Sequence, residues 1–591
     1  MKSEGKGEEH MKKMLITITA ALLLAGCANS TPAGSEEGGL FKAGTYTATA
    51  AGRNGDITVT AVLTDSAITE ITYESQETET IGVPAMDSLI ETIVNGQTLA
   101  VDNVSGATMS TEGFLKAMSD IIRQAGADPE ALSGNGKSTA AETEYETEAD
   151  IIVVGAGAAG MTAAITAKDE GASVIVLEKS AVLGGNTVCA ANGINAADSK
   201  VQLADEKYQE VKASAEGLEH LQLNNEDAKE ELVKAFAENS GETIDWLTDL
   251  GVNFQVDIQE DERNAEQNYY MLKDESSGTT AITMISKVSS KLKETGIPVY
   301  YSMDAYKLVM EDGKVTGVIA KDEKGNDVTF TGKVLLATGG FGQNSELVGK
   351  YNEHLANAVT DEVAPTTGEG LLMALEAGAD TANLDAIQTF PAVIPGYGMI
   401  LPFALPGGFV PDALYVNNQA QRFTAEGFEI PDAILAQDKG EVYCVFDESG
   451  MNDTMQSLLS NGVIFSGESA EELAGKLGID GEALAKTIAD FNEDIADGKD
   501  DAFGREQNLN TIEGTLYGYR FGVGAHYFMG GVLINENTEV ISTEGTPIEG
   551  LYAAGEVTGG FHGTFRVDGS GLGDSFTFGR IAGRVMTDAS K

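Results

Sequence analysis

Residues 148–187 read EADIIVVGAGAAGMTAAITAKDEGASVIVLEKSAVLGGNT. Four apolar residues, 151–154, lead straight into a glycine-rich turn, which is followed by an alanine-rich stretch of helical character. A second apolar run, 174–177, then ends at the acid Glu178. A strand, a glycine turn, a helix and a second strand in this order predict the opening unit of a doubly wound α/β fold.

The three glycines of the turn have separate roles. Gly155 permits the tight turn, Gly157 lets the backbone approach a pyrophosphate, and Gly160 lets the helix pack closely on the strand. A pyrophosphate would then lie at a helix N-terminus, where free N–H groups and the helix dipole favour an anion. Glu178 lies about 20 residues further on, where this fingerprint places an acid that accepts ribose hydroxyls. The stretch therefore predicts a dinucleotide site, and by itself it fits NAD as well as FAD.

The composition limits the partners that we expect. A length of 591 residues predicts about two to four domains. The 92 acidic residues exceed the 38 basic ones, which gives a net charge of −54. Nucleic acid is not an expected partner, because phosphate binding needs clustered Lys and Arg. The three cysteines form no CxxC motif and the five histidines show no metal-ligand spacing, so no metal site is predicted.

The N-terminal 27 residues have the features of an export signal. Two lysines precede an apolar stretch of about a dozen residues, and Leu24–Cys27 is a small-residue cleavage site. These features predict a secretory signal peptide that starts at Met1 or Met11, with a buried helix as the alternative. The Leu-Ala-Gly-Cys ending resembles the bacterial lipoprotein box. That resemblance implies lipidation of Cys27, anchoring to the cell membrane and an extracytoplasmic location, with residues 28–39 as a flexible tether.

Residues 40–125 have the pattern of a small separate α+β domain. Apolar and polar residues alternate about an Arg-Asn-Gly turn, which is typical of a hairpin, and helical patterns follow. The predicted strands are Thr45–Ala50, Ile57–Val62 and Ile68–Tyr73, and the predicted helices are Pro84–Val94 and Thr111–Gln124.

Asp102–Thr108, DNVSGAT, lies between the two helices of this domain. On composition alone it is a Ser/Gly turn that caps the second helix. The segment resembles the FMN-binding domain of electron-transfer flavoproteins, in which an Asp-x-x-Ser-Gly-Ala-Thr segment carries FMN through a phosphoester on the threonine. The resemblance implies covalent FMN on Thr108, attached by a flavin transferase. Residues 126–146 are then a polar linker.

Two further features of the second half favour FAD over NAD. Val334–Ala337 is a buried strand that ends in Thr-Gly-Gly, at Gly339 and Gly340. Near the end of the chain, a second short strand runs into Gly555 and Glu556. A glycine fingerprint at one end and a Gly-acid strand at the other is the layout of FAD-binding two-domain oxidoreductases. We therefore expect non-covalent FAD.

Residues 147–591 resemble the soluble fumarate reductase and flavocytochrome c family. Asn417–Phe423 fits the Asn-x-x-Gly-x-Arg-Phe motif except that Ala420 replaces the glycine, and His526–Gly531 fits His-His-Thr-Met-Gly-Gly. Gly559–Arg566 fits Gly-Gly-x-His-Gly-x-Asn-Arg, with further matches at Asp574 and 578–580. The resemblance implies a Rossmann-like FAD-binding domain (147–381 and 526–591), an inserted α+β clamp domain (382–525) and a site between them. The FAD contacts implied by the fingerprint and the resemblance are Gly155, Gly157, Ala158, Ala159, Gly160, Glu178, Lys179, Gly185, Asn186, Thr187, Asn192, Gly193, Gly339, Gly340, Glu369, Gly555, Glu556, Ser570 and Leu572.

The resemblance also implies a reaction. In this family reduced FAD transfers hydride from N5 to one carbon of an activated C=C bond, and an arginine protonates the neighbouring carbon. Arg422 stands at the arginine of the matching motif, and His526 and Arg566 match residues that hold the substrate carboxylate. From the residues alone, Arg422 is a carboxylate clamp, because a guanidinium normally stays protonated and its planar fork suits a carboxylate. A core histidine and a surface arginine ion pair are the alternatives for the other two.

Two departures from the family pattern bear on the substrate. Phe390 stands where fumarate reductases carry a histidine for the second carboxylate, and Gly396–Pro411 contains no charged residue. A second carboxylate buried there would be an unpaired charge. With Phe390 and Tyr527 in the pocket, we expect an α,β-unsaturated monocarboxylate with an aromatic or aliphatic tail. The candidates for a proton relay to Arg422 are Tyr527, Tyr519, Asp412 and Glu426, which the sequence does not rank.

The sequence is compatible with several functions of the whole chain. The leading one is an extracytoplasmic reductase in which a membrane donor, a quinol dehydrogenase or flavin-bearing membrane protein, passes electrons to FMN, then FAD, then substrate. The chain contains no CxxCH haem site, so FMN would replace haem as the entry point. The alternatives are a fumarate reductase proper, an FAD-dependent dehydrogenase or oxidase of a bulky apolar, steroid-like substrate, and a flavin-bearing electron carrier or scaffold without enzymatic activity.

Overall fold

The structure is a computed structural model, and it divides into two compact units. One comprises residues 1–146 with 180–182, and the other comprises 147–179 with 183–591. The predicted signal peptide, Cys27 and the tether lie outside the described residues. The structure describes residues 40–77, 82–99, 101, 107–129, 132, 145–190, 193–206, 208, 227–260, 268–274, 280–394, 398–399, 413–426, 430–496, 498–500, 502–506 and 508–588.

The first unit is an antiparallel sheet with two helices, as predicted. The strands β1 Gly44–Ala51, β2 Asp56–Leu63 and β3 Ile68–Glu74 pair in the order β1-β2-β3. Every second residue of β2 is buried, because alternate side chains of a strand point to the same face. That face packs on helices α1 Gly82–Gly96 and α2 Thr108–Gln124, which share one hydrophobic core with the sheet. Helix α2 begins at Thr108, three residues earlier than the sequence predicts.

The second unit is larger and mixed α/β. Its described strands, in chain order, are β4 Glu148–Val154, β5 Val174–Leu177, β6 Ile194–Asn195, β7 Phe254–Glu260, β8 Asn268–Asp274, β9 Val299–Tyr300, β10 Asp304–Glu311, β11 Lys314–Lys321, β12 Asp327–Leu336, β13 Val359–Thr360, β14 Thr381–Ala382, β15 Ile387–Ile394, β16 Gly398–Met399, β17 Leu414–Val416, β18 Glu441–Phe446, β19 Phe465–Gly467, β20 Leu516–Phe528, β21 Gly531–Leu533, β22 Glu539–Ile541, β23 Pro547–Ala553 and β24 Thr558–Gly559. Its described helices are α3 Ala158–Asp169, α4 Lys200–Ala204, α5 Glu230–Asp249, α6 Thr280–Thr295, α7 Ser345–Tyr351, α8 Glu369–Glu376, α9 Pro431–Leu435, α10 Asp453–Ser460, α11 Ala470–Leu477, α12 Gly481–Ile495 and α13 Ser570–Asp588. Short 3-10 turns occupy Gly185–Cys189, Glu353–Leu355, Asp438–Gly440 and Glu448–Gly450.

The main sheet brings the predicted FAD residues to one edge. Its order is β10-β11-β12-β4-β5-β9, with β23 also paired to β12. The last residues of β12, β4, β5 and β23 are in register across parallel pairs, so these four strands end side by side. The segments that follow them carry the glycine turn, Glu178, the glycine pair after β12 and the Gly-acid pair after β23. Ligands of open α/β sheets bind outside the carboxyl ends of the strands, which is where these residues lie.

The predicted clamp segment, residues 382–525, supplies most of the strands of a second sheet. The order of this sheet is β16-β15-β20-β18-β17, and β13 and β19 also pair with β20. Helices α9 to α12 pack on it through two hydrophobic clusters. The predicted boundary between residues 525 and 526 falls inside β20, a continuous strand that runs from Leu516 to Phe528. Among the described residues, no helix is long and apolar enough to cross a membrane.

Candidate active site

The glycine turn after β4 leaves space that side chains would fill. A Cβ on Gly155, where φ is +101°, would lie 2.2 Å from the carbonyl oxygen of Ala337. A Cβ on Gly160 would lie 1.9 Å from the carbonyl oxygen of Gly155, so helix and turn touch through backbone atoms. Gly157 is different, because its Cβ position meets nothing closer than Gly184 at 3.8 Å. This open surface at the N-terminus of α3 is what a pyrophosphate requires.

Acidic and basic side chains line the end of β5. Glu178 is buried, and its Oε2 accepts a hydrogen bond of 2.8 Å from the N–H of Ala156, which fixes the carboxylate beside the glycine turn. Lys179 forms a 2.6 Å salt bridge with Glu369. Burial raises the pKa of Glu369, but the hydrogen bonds from Lys179 and Thr367 outweigh it, so the pKa lies below its usual value.

A second group of polar residues surrounds Glu556. The Nδ2 of Asn186 and the N–H of Phe528 donate to its two carboxylate oxygens, at 2.9 and 3.1 Å. Glu362 lies next to it, and burial, followed by the negative charge of Glu556, raises the pKa of Glu362 well above its usual value. This environment favours the protonated form of Glu362. The sequence does not point to this residue, since its contact with Glu556 depends on the fold and follows no motif.

One cleft, with an empty volume of about 780 Å³, joins the predicted FAD contacts to the predicted substrate residues. The side that carries predicted FAD contacts includes Asn186, Thr187, Gly193, Glu556 and Leu572. The other side includes His526, Tyr527 and Arg566. The remaining lining residues are Cys189, Ala190, Asp361, Glu362, Asp568, Gly569, Gly571 and Ser575. Ser570 is buried and accepts a 3.2 Å hydrogen bond from Asn195, and Asn192 lies outside the described residues.

These residues fit FAD. A helix N-terminus without side chains, an acid at the end of the second strand and a cleft that continues past Glu556 match an extended dinucleotide that carries a flavin. A Cβ on Gly340 would lie 2.7 Å from Oε1 of Glu362, so glycine at this position leaves room for the carboxyl groups of Glu362 and Glu556. Bound FAD would supply a hydride at the end of the cleft that carries Arg566.

Arg566 is a buried cation for which the described part of the chain shows no carboxylate partner. It is 7% exposed, and its Nε–H donates to the side-chain oxygen of Gln388 at 2.7 Å. Its guanidinium carbon lies 4.9 Å from the centre of the Tyr527 ring. No salt bridge of Arg566 occurs among the described residues. A buried charge of this kind is costly unless an anion binds to it.

His526 is positioned differently from Arg566. Its Nδ1 lies 2.8 Å from Oδ2 of Asp361, so a carboxylate of the chain itself already engages the ring. The ring centres of His526 and Phe390 are 5.0 Å apart. Phe390 thus lies beside the predicted carboxylate-binding residue, but it is not among the described residues that line the cleft.

Tyr527 lies between the cleft and a buried polar pair. Its hydroxyl oxygen is 3.3 Å from Nε2 of His562 and 3.5 Å from Oδ2 of Asp574. His562 and Asp574 are 3% and 1% exposed, and their nearest atoms are 3.7 Å apart. Burial lowers the pKa of His562, which keeps the ring neutral, and burial raises the pKa of Tyr527 well above its usual value.

Arg422, the proton donor that the resemblance implies, is not among the described residues that line this cleft. Its guanidinium forms paired hydrogen bonds of 2.7–2.8 Å with Glu426 and of 2.8–3.1 Å with Asp500. It also lies 4.9 Å from the ring centres of both Phe491 and Phe503. Burial lowers its pKa, but the two carboxylates outweigh that effect and raise the pKa above its usual value. Such a guanidinium is a poor acid and a good structural cation.

The strand register shows how far Arg422 lies from the cleft. Arg422 bridges to Val416 of β17, which aligns through Tyr443 of β18 with Arg520 of β20. Arg520 precedes His526 by six residues on the same strand. At about 3.3 Å per residue, this offset alone corresponds to roughly 20 Å along the strand.

The structure also separates the four candidate relay residues. Glu426 binds Arg422, and Tyr519 is buried in the core of the second sheet beside Cys444. Asp412 lies outside the described residues, as does most of the uncharged segment 396–411. Tyr527 is the one of these four that lines the cleft.

Thr108 belongs to the first unit and is considered separately. It is exposed and is the first residue of α2. Its neighbour Ser110 is buried and donates a 2.6 Å hydrogen bond to Glu77. The preceding residues Asp102–Gly106 of the predicted FMN segment lie outside the described residues.

Comparison with known proteins supports both flavin assignments. Residues 150–572 match the FAD binding domain family, and residues 52–123 match the FMN-binding domain family. The predicted cofactors FAD and FMN are confirmed at the level of these two domains.

Three known proteins illustrate the similarity. The chain is 32% identical over 597 residues to urocanate reductase of Eggerthella lenta, across 96% of this chain and 96% of that protein. It is 30% identical to NADH:acrylate oxidoreductase of Vibrio harveyi across 93% of this chain, but spans only 61% of that protein's length. The open conformation of a flavocytochrome c3 fumarate reductase matches with a TM-score of 0.68 and 30% identity, over 75% of this chain and 78% of that one.

Proposed function

Because the chain belongs to the family of FAD-binding flavoproteins that includes urocanate and fumarate reductases, we propose that it reduces the C=C bond of an α,β-unsaturated monocarboxylate. The observation that carries the proposal is Arg566, a buried guanidinium in the cleft with no salt-bridge partner among the described residues. A substrate carboxylate supplies the missing anion, and the planar fork of arginine binds it through two parallel hydrogen bonds.

Arg566 also assists the chemical step. Bound FAD, when reduced, supplies the hydride to the carbon distal to the carboxylate. Negative charge then builds up on the α-carbon and on the carboxylate oxygens, where a fixed cation stabilises it. The hydrogen bond from Nε–H to Gln388 holds the plane of the guanidinium, so no reorganisation is needed as the charge develops.

The charges of the cleft favour one carboxylate over two. Arg566 is the one Lys or Arg among the described lining residues, whereas Asp361, Glu362, Glu556 and Asp568 are acids. Asp361 already engages His526, so a second substrate carboxylate would find no uncompensated cation. The ring of Phe390 beside His526 suits an aromatic or aliphatic tail instead. We therefore propose an apolar enoate, cinnamate-like or urocanate-like, in preference to fumarate.

Electrons would enter through the first unit. We propose that FMN, attached to Thr108 by a flavin transferase, receives them from a membrane donor and passes them to FAD. The match of residues 52–123 to the FMN-binding domain family and the exposure of Thr108 support this order. Lipidation of Cys27 and an extracytoplasmic location belong to the same proposal, and they rest on the sequence of the N-terminus.

A substrate panel tests the proposed reaction. Purified holoprotein is assayed for oxidation of reduced methyl viologen with acrylate, crotonate, cinnamate, urocanate and fumarate. We expect turnover with at least one aryl- or alkyl-substituted monocarboxylate, and slower turnover with fumarate. Faster reduction of fumarate than of every monocarboxylate would refute the specificity. Oxygen consumption with a saturated acid, and no reduction of any enoate, would support a dehydrogenase or oxidase instead.

Substitution of Thr108 tests the electron path. In Thr108→Ala we expect FMN to be lost from the denatured polypeptide while FAD is retained. Turnover with reduced viologen should persist, since viologen can reduce FAD directly, whereas turnover with isolated membranes and NADH should be abolished. A fluorescent flavin band on a denaturing gel, present in wild type and absent in the variant, measures the attachment. Normal membrane-driven activity in Thr108→Ala would contradict the path.

A further inference from the structure

The proposed reaction needs a proton donor that the structure does not provide at Arg422. Reduction of a C=C bond adds one hydride and one proton, and the proton must reach the carbon next to the carboxylate. Arg422 lies in the core of the second sheet and is bound by Glu426 and Asp500. A donor must instead lie on the wall of the cleft that holds Arg566.

Tyr527 meets the geometric requirements for this donor. It lines the cleft, and its ring lies 4.9 Å from the guanidinium carbon of Arg566. A carboxylate bound to Arg566 therefore brings its α-carbon alongside the phenol. The strand pairing of Tyr527 with Gln388, which itself accepts from Arg566, holds the phenol and the guanidinium together.

The groups behind Tyr527 resemble a proton source more than a structural network. The hydroxyl contacts His562 and Asp574, which are both almost fully buried. Among the described residues, Nδ1 of His562 and Oδ1 of Asp574 have no hydrogen-bond partner. Buried polar atoms without partners cost stability, so a cluster that retains two of them beside a cleft calls for a functional explanation.

We propose that Tyr527 donates the proton to the α-carbon of the substrate and that His562, held by Asp574, returns a proton to its oxygen. The assignment rests on the proposed function. The π bond of the substrate would break as bound, reduced FAD supplied a hydride, with its electron pair, to the β-carbon and was left oxidised. The O–H bond of Tyr527 breaks as the new α-C–H bond forms. The phenolate then takes the proton on Nε2 of the neutral His562 ring while Nδ1 of the same ring takes a proton from solvent, so that the ring stays neutral throughout.

The surroundings of Tyr527 keep it protonated until it reacts. The acidic groups that face Tyr527 are Asp574, Glu556 and Glu362. The basic groups beside it are Arg566 and His562. Burial and the neighbouring acids raise its pKa, so the phenol stays neutral over the working pH range. Arg566 stabilises the phenolate for the short time that it exists.

The other groups of the cleft fit this role less well. His526 is bound through Nδ1 to Asp361 and faces Phe390. The pKa of Glu362 is raised by burial, but its Oε2 accepts from the N–H of Gly342 and its Oε1 lies close to Gly340 and Glu556, with the predicted FAD contacts. Neither lies against Arg566 as Tyr527 does.

Tyr527→Phe is the direct test, with Tyr519→Phe as its matched control. Both tyrosines are buried on β20, and Tyr519 lies in the core of the second sheet. In the holoenzyme we expect Tyr527→Phe to lower kcat for the best enoate by about 10²–10⁴-fold, the usual contribution of general acid catalysis. Tyr519→Phe should stay within about threefold of wild type.

Two further readouts separate proton donation from a structural role. Binding of the saturated acid, followed as a change in flavin absorbance, should have a Kd within about threefold of wild type in Tyr527→Phe. In D₂O the wild type should place deuterium on one face of the α-carbon. The residual product of Tyr527→Phe should carry deuterium on both faces, because water then supplies it.

The outcomes distinguish this assignment from the proposed function. If the wild type reduces an enoate and Tyr527→Phe has a normal kcat, the assignment of Tyr527 as the proton donor is overturned, while the proposed function stands. The same conclusion would follow from a loss of acid binding equal to the loss of kcat, or from a Glu362→Gln variant that loses activity while Tyr527→Phe retains it. A wild-type enzyme that reduces no enoate would remove the proposed function and this assignment with it.

Discussion

Arg422 and Arg566 are both buried arginines in matched family motifs, and their surroundings are opposite. Arg422 lies between two phenylalanine rings and binds two carboxylates of its own chain, Glu426 and Asp500. Arg566 lies in the cleft, binds the neutral amide of Gln388 and contacts the ring of Tyr527. In the first, Nε, Nη1 and Nη2 all donate to permanent partners. The second has a positive charge that the described residues leave uncompensated.

The difference shows how to tell a structural arginine from a binding one. A buried ion pair is kept by its partners, and removing one partner leaves the other as an uncompensated buried charge. A buried cation without a counter-ion lowers the stability of the free protein, and binding of an anion removes that penalty. The two arginines should therefore respond to substitution in opposite ways.

Arg422→Met should have the largest effect on stability. We expect the free energy of unfolding to fall by about 3–5 kcal/mol, because Asp500 would keep its burial and lose its cation, and Glu426 would keep the longer, 3.4 Å ion pair with Arg505. Urea denaturation of the holoprotein measures this. Arg520→Met, which removes an exposed salt bridge with Glu441, is the control and should cost at most about 1 kcal/mol. Equal effects of the two substitutions would contradict the structural role of Arg422.

Arg566→Gln should act on function and leave stability almost unchanged. We expect kcat/KM for the preferred enoate to fall by about 10²–10³-fold, which corresponds to the loss of one buried charge-assisted contact with the carboxylate. Arg566→Lys keeps the charge without the planar fork and should recover only part of the activity. A lower midpoint of urea denaturation with normal kcat/KM would show that Arg566, too, is structural.

The pH dependence of stability should show the smallest effect, and it tests the Arg422–Asp500 pair specifically. Burial raises the pKa of Asp500, but Arg422 outweighs it and holds the pKa below its usual value. Such a carboxyl stabilises the fold above its unfolded pKa of about 3.9, and that stability is lost as the pH falls through the folded value. In wild type, the unfolding free energy should therefore decline below about pH 4.

The same titration in Arg422→Met should have a weaker or reversed slope. Without its cation, the buried Asp500 favours the protonated form, so lowering the pH no longer removes a stabilising charge. Urea titrations between pH 7 and pH 3 compare the two proteins. Identical slopes would mean that Asp500 is not coupled to Arg422.

The sequence predicts the fold where local chemistry decides it. Gly155 and Gly160 tolerate no side chain because their Cβ positions collide with neighbouring backbone, and such positions reveal themselves as glycines in the sequence. The strands and helices of residues 40–125 follow from alternation and helical spacing, and the structure confirms them. The convergence of Glu178, Gly340 and Glu556 follows from the rule that ligands bind at the carboxyl ends of parallel strands.

The sequence does not separate the two arginines, because their partners come from distant segments. Asp500 reaches Arg422 from the other end of the clamp segment, and Gln388 reaches Arg566 across 178 residues. One signal was present, since Glu426 lies four residues after Arg422, a spacing at which opposite charges pair in local structure. The raised pKa of Glu362 depends on its burial and on Glu556, which no spacing rule connects to it.

Strand β20 carries a mechanical consequence. It is hydrogen-bonded to β18 through Phe446 and to β15 through Ile387, and it ends where the N–H of Phe528 binds Glu556. A rigid movement of the clamp segment would therefore pull His526 and Tyr527 with it, because both lie on the same continuous strand, β20. Opening the cleft to admit substrate would then withdraw the phenol from the flavin end. Closing the cleft would bring the phenol of Tyr527 into position and would exclude water at the same time, so that protonation would depend on closure.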